Sequence, residues 1–247
     1  MNLVLQTLLG LAVLGGLFYA AWRIDRWRSR EGRAKRRLQQ WPLVPLSQLP
    51  AGLPVRTVGR VGSAVRALTA PFTGRRCVCY EAIVEARNWH EYRTSNWYEI
   101  ACEVRATGFG IRQGPAEAEI VVAEGEPVDL VLQRDRRLHS NVLRSPTPEM
   151  EAFLARHQER ARGFLLPRTL RYVEAIVEEG ETVVVAGQAN RREDRPASAI
   201  EGEVAGPAGG WTLTAPTDSP LMISDDPDVV GSQAKELSGR TPGSRAG

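Results

Sequence analysis

The chain has 247 residues with 32 Lys and Arg against 29 Asp and Glu, and setting aside an apolar start, a basic neck and a polar tail leaves about 170, one domain's worth of core. The basic surplus sits in one place: Arg23, Arg26, Arg28, Arg30, Arg33, Lys35, Arg36 and Arg37 face only Asp25 and Glu31, and the rest of the chain is slightly acidic. A fold that grips a nucleic-acid backbone needs its cations on the folded surface, so no nucleic-acid partner is expected.

From Leu3 to Trp22 no charged residue interrupts a run of Leu, Val, Ala, Gly and Phe. About twenty helical residues rise roughly 30 Å, the thickness of a bilayer's hydrocarbon core, so residues 1–22 are expected to form a single transmembrane helix. Tyr19 and Trp22 fall where aromatic rings favour the headgroup level, and Arg23 follows at once. A secretory signal peptide carries its positive charge before the apolar run, whereas here only Met1 and Asn2 precede it. The positive-inside rule places the N-terminus outside and everything after Trp22 in the cytoplasm. The expectation is a single-pass membrane protein in contact with the lipid bilayer, its basic neck solvated and without lipid selectivity.

Residues 23–54 read as that neck followed by a linker. Pro42, Pro45, Pro50 and Pro54 exclude a continuous helix there and favour extended chain. Strand-forming runs follow at 55–61, 77–84, 100–106, 118–122 and 128–132, each bounded by Gly, Pro, Asn or charged residues. One helix is expected from Pro148 to about Arg162, with Thr147 as N-cap, Met150, Phe153 and Leu154 on its apolar face, and Gly163 ending it. Strands resume at 169–177, 182–187, 211–214 and 221–224. Residues 226–247, rich in Gly, Ser, Pro and charge, are expected to be a disordered tail. Many short strands around one helix suggest a mainly β, α+β domain over 55–225, a small, partly closed, OB-like β-barrel, with a two-layer sandwich as the other possibility.

Three cysteines, Cys77, Cys79 and Cys102, are too few and odd in number for a disulfide framework, which favours a reducing compartment. Cys77 and Cys79 lie two apart in a strand-forming run, so both are expected on one face, buried and inert. His90, His139 and His157 have no ligand spacing, and Asp225, Asp226 and Asp228 read as a solvated turn. No G-x-S-x-G, H-E-x-x-H or G-x-x-x-x-G-K-[ST] string occurs, so no catalytic residue, cofactor or metal ligand is assigned.

Two places are candidates for binding a protein partner. A loop expected from Asn88 to Tyr98 holds Trp89, His90, Tyr92, Trp97 and Tyr98, where aromatics either cap a small barrel or anchor an interface. Arg134, Arg136 and Arg137, with His139, form a second surface that a solvated charged loop explains equally well.

Two segments together resemble the GIDE/MULAN family, membrane-tethered E3 ubiquitin ligases of organelle outer membranes, and their shorter bacterial relatives. The first is Gly59-Arg60-Val61 with Leu68-Thr69-Ala70-Pro71-Phe72-Thr73-Gly74-Arg75-Arg76-Cys77-Val78-Cys79-Tyr80, similar to the family's strand, Pro and Gly turn, and Cys-rich strand. The second is Arg171-Tyr172-Val173-Glu174 with Glu178-Glu179-Gly180-Glu181 and Thr182 to Gly187, similar to its Glu-containing strand, turn and Gly-ended strand. Leu221 to Asp225 resembles the closing strand. The chain departs from the family at Phe109-Gly110-Ile111-Arg112-Gln113-Gly114, where relatives carry an Asp after the strand, and beyond Cys102 it has no cysteine for the zinc ligands of a RING. The resemblance therefore implies the membrane-adjacent module alone. The expected function is a non-catalytic scaffold that docks a partner near the cytoplasmic membrane surface; the alternative is a component of an E3 ligase-like system or another membrane-associated enzyme.

Overall fold

A computed structural model describes residues 30–87, 97–123, 125–133, 136–140, 145–159, 169–192 and 210–239. The chain forms two compact units, the first ending at Gln40 and the second starting at Trp41. Of the first, the described part is a basic helix, α1 (Arg30–Gln40). The apolar run 3–22 lies outside the described residues, among which no helix is long and apolar enough to cross a membrane.

The second unit is mainly β. Five strands close into a barrel: β1 (Leu53–Ala64), β6 (Phe109–Gln113), β7 (Ala116–Ile120), β12 (Trp211–Thr214) and β11 (Thr182–Arg191), which pairs back onto β1. Every pairing is antiparallel except β7 with β12. Numbered along the chain, the barrel strands run first, second, third, fifth, fourth around the ring. Alternation sends Val55, Val61, Phe109, Ile111, Ile120, Val183, Val185 and Leu213 inward to one core. β8 (Val128–Val131) and β13 (Leu221–Ser224) extend the sheet beyond β11.

Gly187 makes this branching possible. β11 pairs with β13 through Val184–Ala186 and with β12 through Gln188–Arg191, so the neighbour changes at Gly187. A Cβ there would lie 2.7 Å from the Thr214 carbonyl oxygen and 2.9 Å from Leu221 Cδ1. The sequence suggests a strand end at this residue; it is instead the mid-strand junction between two partners.

Chain between the barrel strands builds a second layer. A four-stranded sheet runs β5 (Trp97–Ala106), β4 (Cys79–Arg87), β10 (Leu170–Val177), β9 (Arg136–Ser140), and α2 (Pro148–Arg156) closes a second core with it. Tyr80, Ala82, Val84, Leu170 and Tyr172 there meet Met150, Phe153 and Leu154. A two-stranded ribbon, β2 (Leu68–Thr69) with β3 (Arg76–Cys77), lies beside it.

Several boundaries differ from the expectation. The linker belongs to the domain: Leu43 bridges to Arg56, and Leu46 and Leu49, around a 3-10 turn at Leu46–Gln48, are buried in the barrel core. Its prolines exclude helix without preventing packing. The strand expected across Cys77 and Cys79 bends at Val78, whose N–H and carbonyl bond to Val177 and Thr107. Cys77 therefore packs in the second core and Cys79 in the first, not on one face.

Helix α2 has the Thr147 cap, its Oγ1 accepting from the Met150 N–H at 3.4 Å, but stops at Arg156 instead of Arg162. Gln158 takes φ +58°, and the bonds from the Gln158 N–H to Ala155 and from the Glu159 N–H to Leu154 form a Schellman end. Gly163 lies outside the described residues. The tail is not all disordered: α3 (Pro227–Gly239) packs on β11 and β1 and buries Val229 and Gln233. Its start is encoded in Asp226-Pro227-Asp228, where the Asp226 carboxylate accepts from the Asp228 N–H at 2.9 Å and Pro227 occupies the first helical position.

Candidate functional site

A groove crosses the outer face of the barrel. β6 alternates Phe109 and Ile111 inward with Gly110 and Arg112 outward, and β7 turns Glu117 and Glu119 outward against a buried Ala118. On β1 the pairing to β6 slips between Val61 and Ala64, so Gly62 and Ser63 together oppose Gly110. With glycine on both strands no bulky side chain covers the middle of the groove. A Cβ on Gly110 would meet nothing within 4 Å. Val65, Trp211, Arg192 and Gly210 line the same cavity, of about 340 Å³.

Its charges are arranged in pairs. Arg112 Nε donates to Glu117 Oε1 at 2.9 Å, and Arg192 lies 3.7 Å from Glu119 Oε2. The Arg191 guanidinium stacks 5.0 Å from the centre of the Trp211 ring, a cation–π contact. A second cleft, of about 380 Å³, adjoins at Gly62, Ser63 and Arg112 and continues to Arg60, Glu179 and Gly180.

A carboxylate cluster lies apart from the groove, between β4, β5 and α2. Glu103 Oε1 accepts from the Tyr80 hydroxyl and from Arg105 Nε at 2.9 Å; its Oε2 meets His157 Nε2 at 3.2 Å and Arg156 at 3.6 Å. Burial pushes the Glu103 carboxyl up, but the bonds from Tyr80 and His157 and the charges of Arg105 and Arg156 outweigh it and hold it below the usual range. The partners saturate this carboxylate and tie helix to sheet. Burial drives the Cys77 thiol up to about 12, with Glu174 and Glu178 adding to it, and burial likewise raises the Cys79 thiol well above its ordinary value. Neither is a ready nucleophile.

Among the described residues, those singled out from the sequence fall on two opposite edges of one sheet. Trp89, Tyr92 and Arg134 lie outside the described residues. Trp97 opens β5 with the Arg171 guanidinium 4.7 Å from its ring centre, and Arg171 is itself paired with Glu85. Tyr98 beside it is exposed. Arg136 and Arg137 are on β9, a strand where a solvated loop was an open reading, and β9 is the opposite edge of the sheet from β5. Two strands separate the sets, roughly 14 Å across the sheet. The groove residues Arg60, Gly62, Gly110, Arg112 and Trp211 were missed as a set. Their signal is the glycine inside each strand pattern, at Val61-Gly62-Ser63 and Phe109-Gly110-Ile111, which marks close approach of another backbone or a ligand.

No protein-family model matches the chain, and a search of curated proteins finds no match.

Proposed function

We propose that this protein is a membrane-anchored, non-catalytic binding module whose barrel groove docks a protein partner beside the cytoplasmic membrane surface. The observation that carries the reading is the glycine-floored groove over β1, β6 and β7. Its place on the barrel suits binding. We read the barrel as OB-like because its strands follow the order first, second, third, fifth, fourth, and in that architecture ligands sit on the second and third strands between the loops joining strands one to two and four to five. Here those strands are β6 and β7, and Val65 and Arg192 come from the corresponding connections.

Kinship with the membrane-adjacent module of the GIDE/MULAN family remains part of this reading. It is carried by the residues of the two resembling segments, which the fold brings together: Glu174 of the second accepts hydrogen bonds from Phe72 and Thr73 of the first. Work alongside a separate ligase subunit is the alternative activity.

Gly110→Tyr tests the binding reading because its side chain has open space to enter and fills the groove without touching the core. In tagged full-length protein extracted from membranes, the variant is expected to melt like the parent and to lose the co-purifying partner. Retention of the same partner by a folded Gly110→Tyr protein contradicts the groove. For the anchor, an alkaline carbonate wash is expected to leave the full chain in the membrane and to release a chain lacking residues 1–37.

A further inference from the structure

We infer that the cleft over Arg60 and Arg112 is a carboxylate subsite, and that the groove takes an extended peptide segment of its partner with one Asp or Glu seated between these two arginines; this rests on the groove being the binding face.

Arg60 on β1 stands directly opposite Arg112 on β6, and both are exposed. Like charges directly opposed across two strands repel, so an anion that bridges them relieves a cost already present in the fold. Both guanidiniums are held in place. Arg60 Nε donates to the Gly180 carbonyl oxygen at 2.7 Å and Arg112 Nε to Glu117 Oε1 at 2.9 Å. These bonds fix the planes of the two forks and leave their terminal nitrogens for a carboxylate, the planar acceptor that a guanidinium fork fits best.

The walls admit such a group. Gly62 and Gly180 present no side chain, Ser63 adds a hydroxyl, and Gly180 at φ +90° turns its carbonyl to Arg60. Glu179 lines the same cleft, but its Oε1 accepts from the Ala64 N–H at 3.2 Å.

The remaining charges choose between an isolated anion and a polyanion. Beyond Arg112 the groove runs past Glu117 and Glu119. A phosphate backbone repeating its charge along this path lies against both carboxylates, whereas a peptide places one carboxylate at the arginine pair and neutral chain over Gly62, Gly110 and the apolar Val65 and Trp211. The geometry favours peptide over nucleic acid. It also accounts for the glycines, since an extended backbone needs close approach where the ladder of β1 slips.

The test is selection of random displayed peptides on full-length protein in nanodiscs, with single-stranded oligothymidine as a second probe. Selected peptides are expected to share an Asp or Glu at one position, and to bind about tenfold more weakly to Arg60→Met or Arg112→Met but not to Arg105→Met on the other sheet. Reversing both charges, Arg60→Glu with Arg112→Glu, is expected to exchange the acidic preference for Lys or Arg, a change that loss of folding cannot produce. Peptides without an acidic position, an acidic preference unmoved by either arginine variant, or tighter binding of oligothymidine than of any peptide overturns the inference. Gly110→Tyr separates the two claims. If it abolishes binding of peptides that lack an acidic position, the groove stands and the carboxylate subsite falls; if acidic peptides ignore it, the groove itself falls.

Discussion

The buried carboxylate of Glu174 accepts the Phe72 N–H at 2.7 Å and the Thr73 hydroxyl, so that a residue of β10 holds the turn between β2 and β3 about a hundred positions earlier in the chain. The turn positions its own aromatic. Phe72 packs edge-on against Phe153 at 4.9 Å and Tyr172 at 5.3 Å, which joins ribbon, helix and sheet in the second core.

Replacing Glu174 by Ala leaves a backbone N–H and a hydroxyl without their acceptor and opens a cavity beneath the turn. The expected loss is about 2–4 kcal/mol, with a smaller loss for Glu174→Gln, which keeps one acceptor oxygen. Chemical denaturation checks this. An unchanged midpoint for Glu174→Ala contradicts the role given to the carboxylate.

Gly187→Ala is expected to destabilise by at least about 1–3 kcal/mol, because the new methyl meets the Thr214 carbonyl oxygen at 2.7 Å between two strands that cannot both retreat. Gly110→Ala, by contrast, is expected to leave the melting temperature nearly unchanged, since its Cβ enters open space. Equal melting of the two variants contradicts the assignment of Gly187 as the junction.

At the end of α2, Gln158 holds a left-handed conformation that costs a residue with a Cβ about 1 kcal/mol relative to glycine. Gln158→Gly is expected to raise the melting temperature slightly. A fall contradicts the Schellman end.

The pH dependence follows from Glu103. Its folded pKa is depressed, so its stabilisation is present above the unfolded value of about 4.3 and is lost as pH falls through the lower folded value. Glu103→Gln is expected to lower stability at neutral pH and to flatten the decline in acid. Parallel melting curves for parent and variant from pH 7 to about pH 3 count against the cluster as a source of acid sensitivity.

The strands β10, β12 and β13 are legible in the sequence because short apolar and β-branched runs closed by turn residues mark them, and they emerge within one residue of their expected ends. β9 is hidden, since an edge strand reading Arg136-Arg137-Leu138-His139-Ser140 has one apolar residue to alternate. The bend at Val78 is also invisible, because it comes from bonds to Val177 and Thr107, far along the chain. The tail misled through composition. Glycine, serine, proline and charged residues make up most of it, while its helix is set by a short local signal, the Asp226 cap before Pro227. The groove is hidden for a different reason. Aromatic and basic clusters draw attention in sequence, yet Trp97 lies under Arg171 within its own sheet, whereas the groove depends on which strands become neighbours, and the pairing of β1 with β6 sets Arg60 beside Arg112.

The most direct measurement of the central claim is site-specific photocross-linking in intact membranes, with the photoreactive residue at Ser63, exposed on the groove, and a control at Asp218, exposed in the turn beyond the far end of β12. A discrete adduct of the full-length protein with a second polypeptide is expected from Ser63, none from Asp218, and loss of the Ser63 adduct when Gly110→Tyr fills the groove. Equal adducts from both positions, or a Ser63 adduct indifferent to Gly110→Tyr, contradict the central claim.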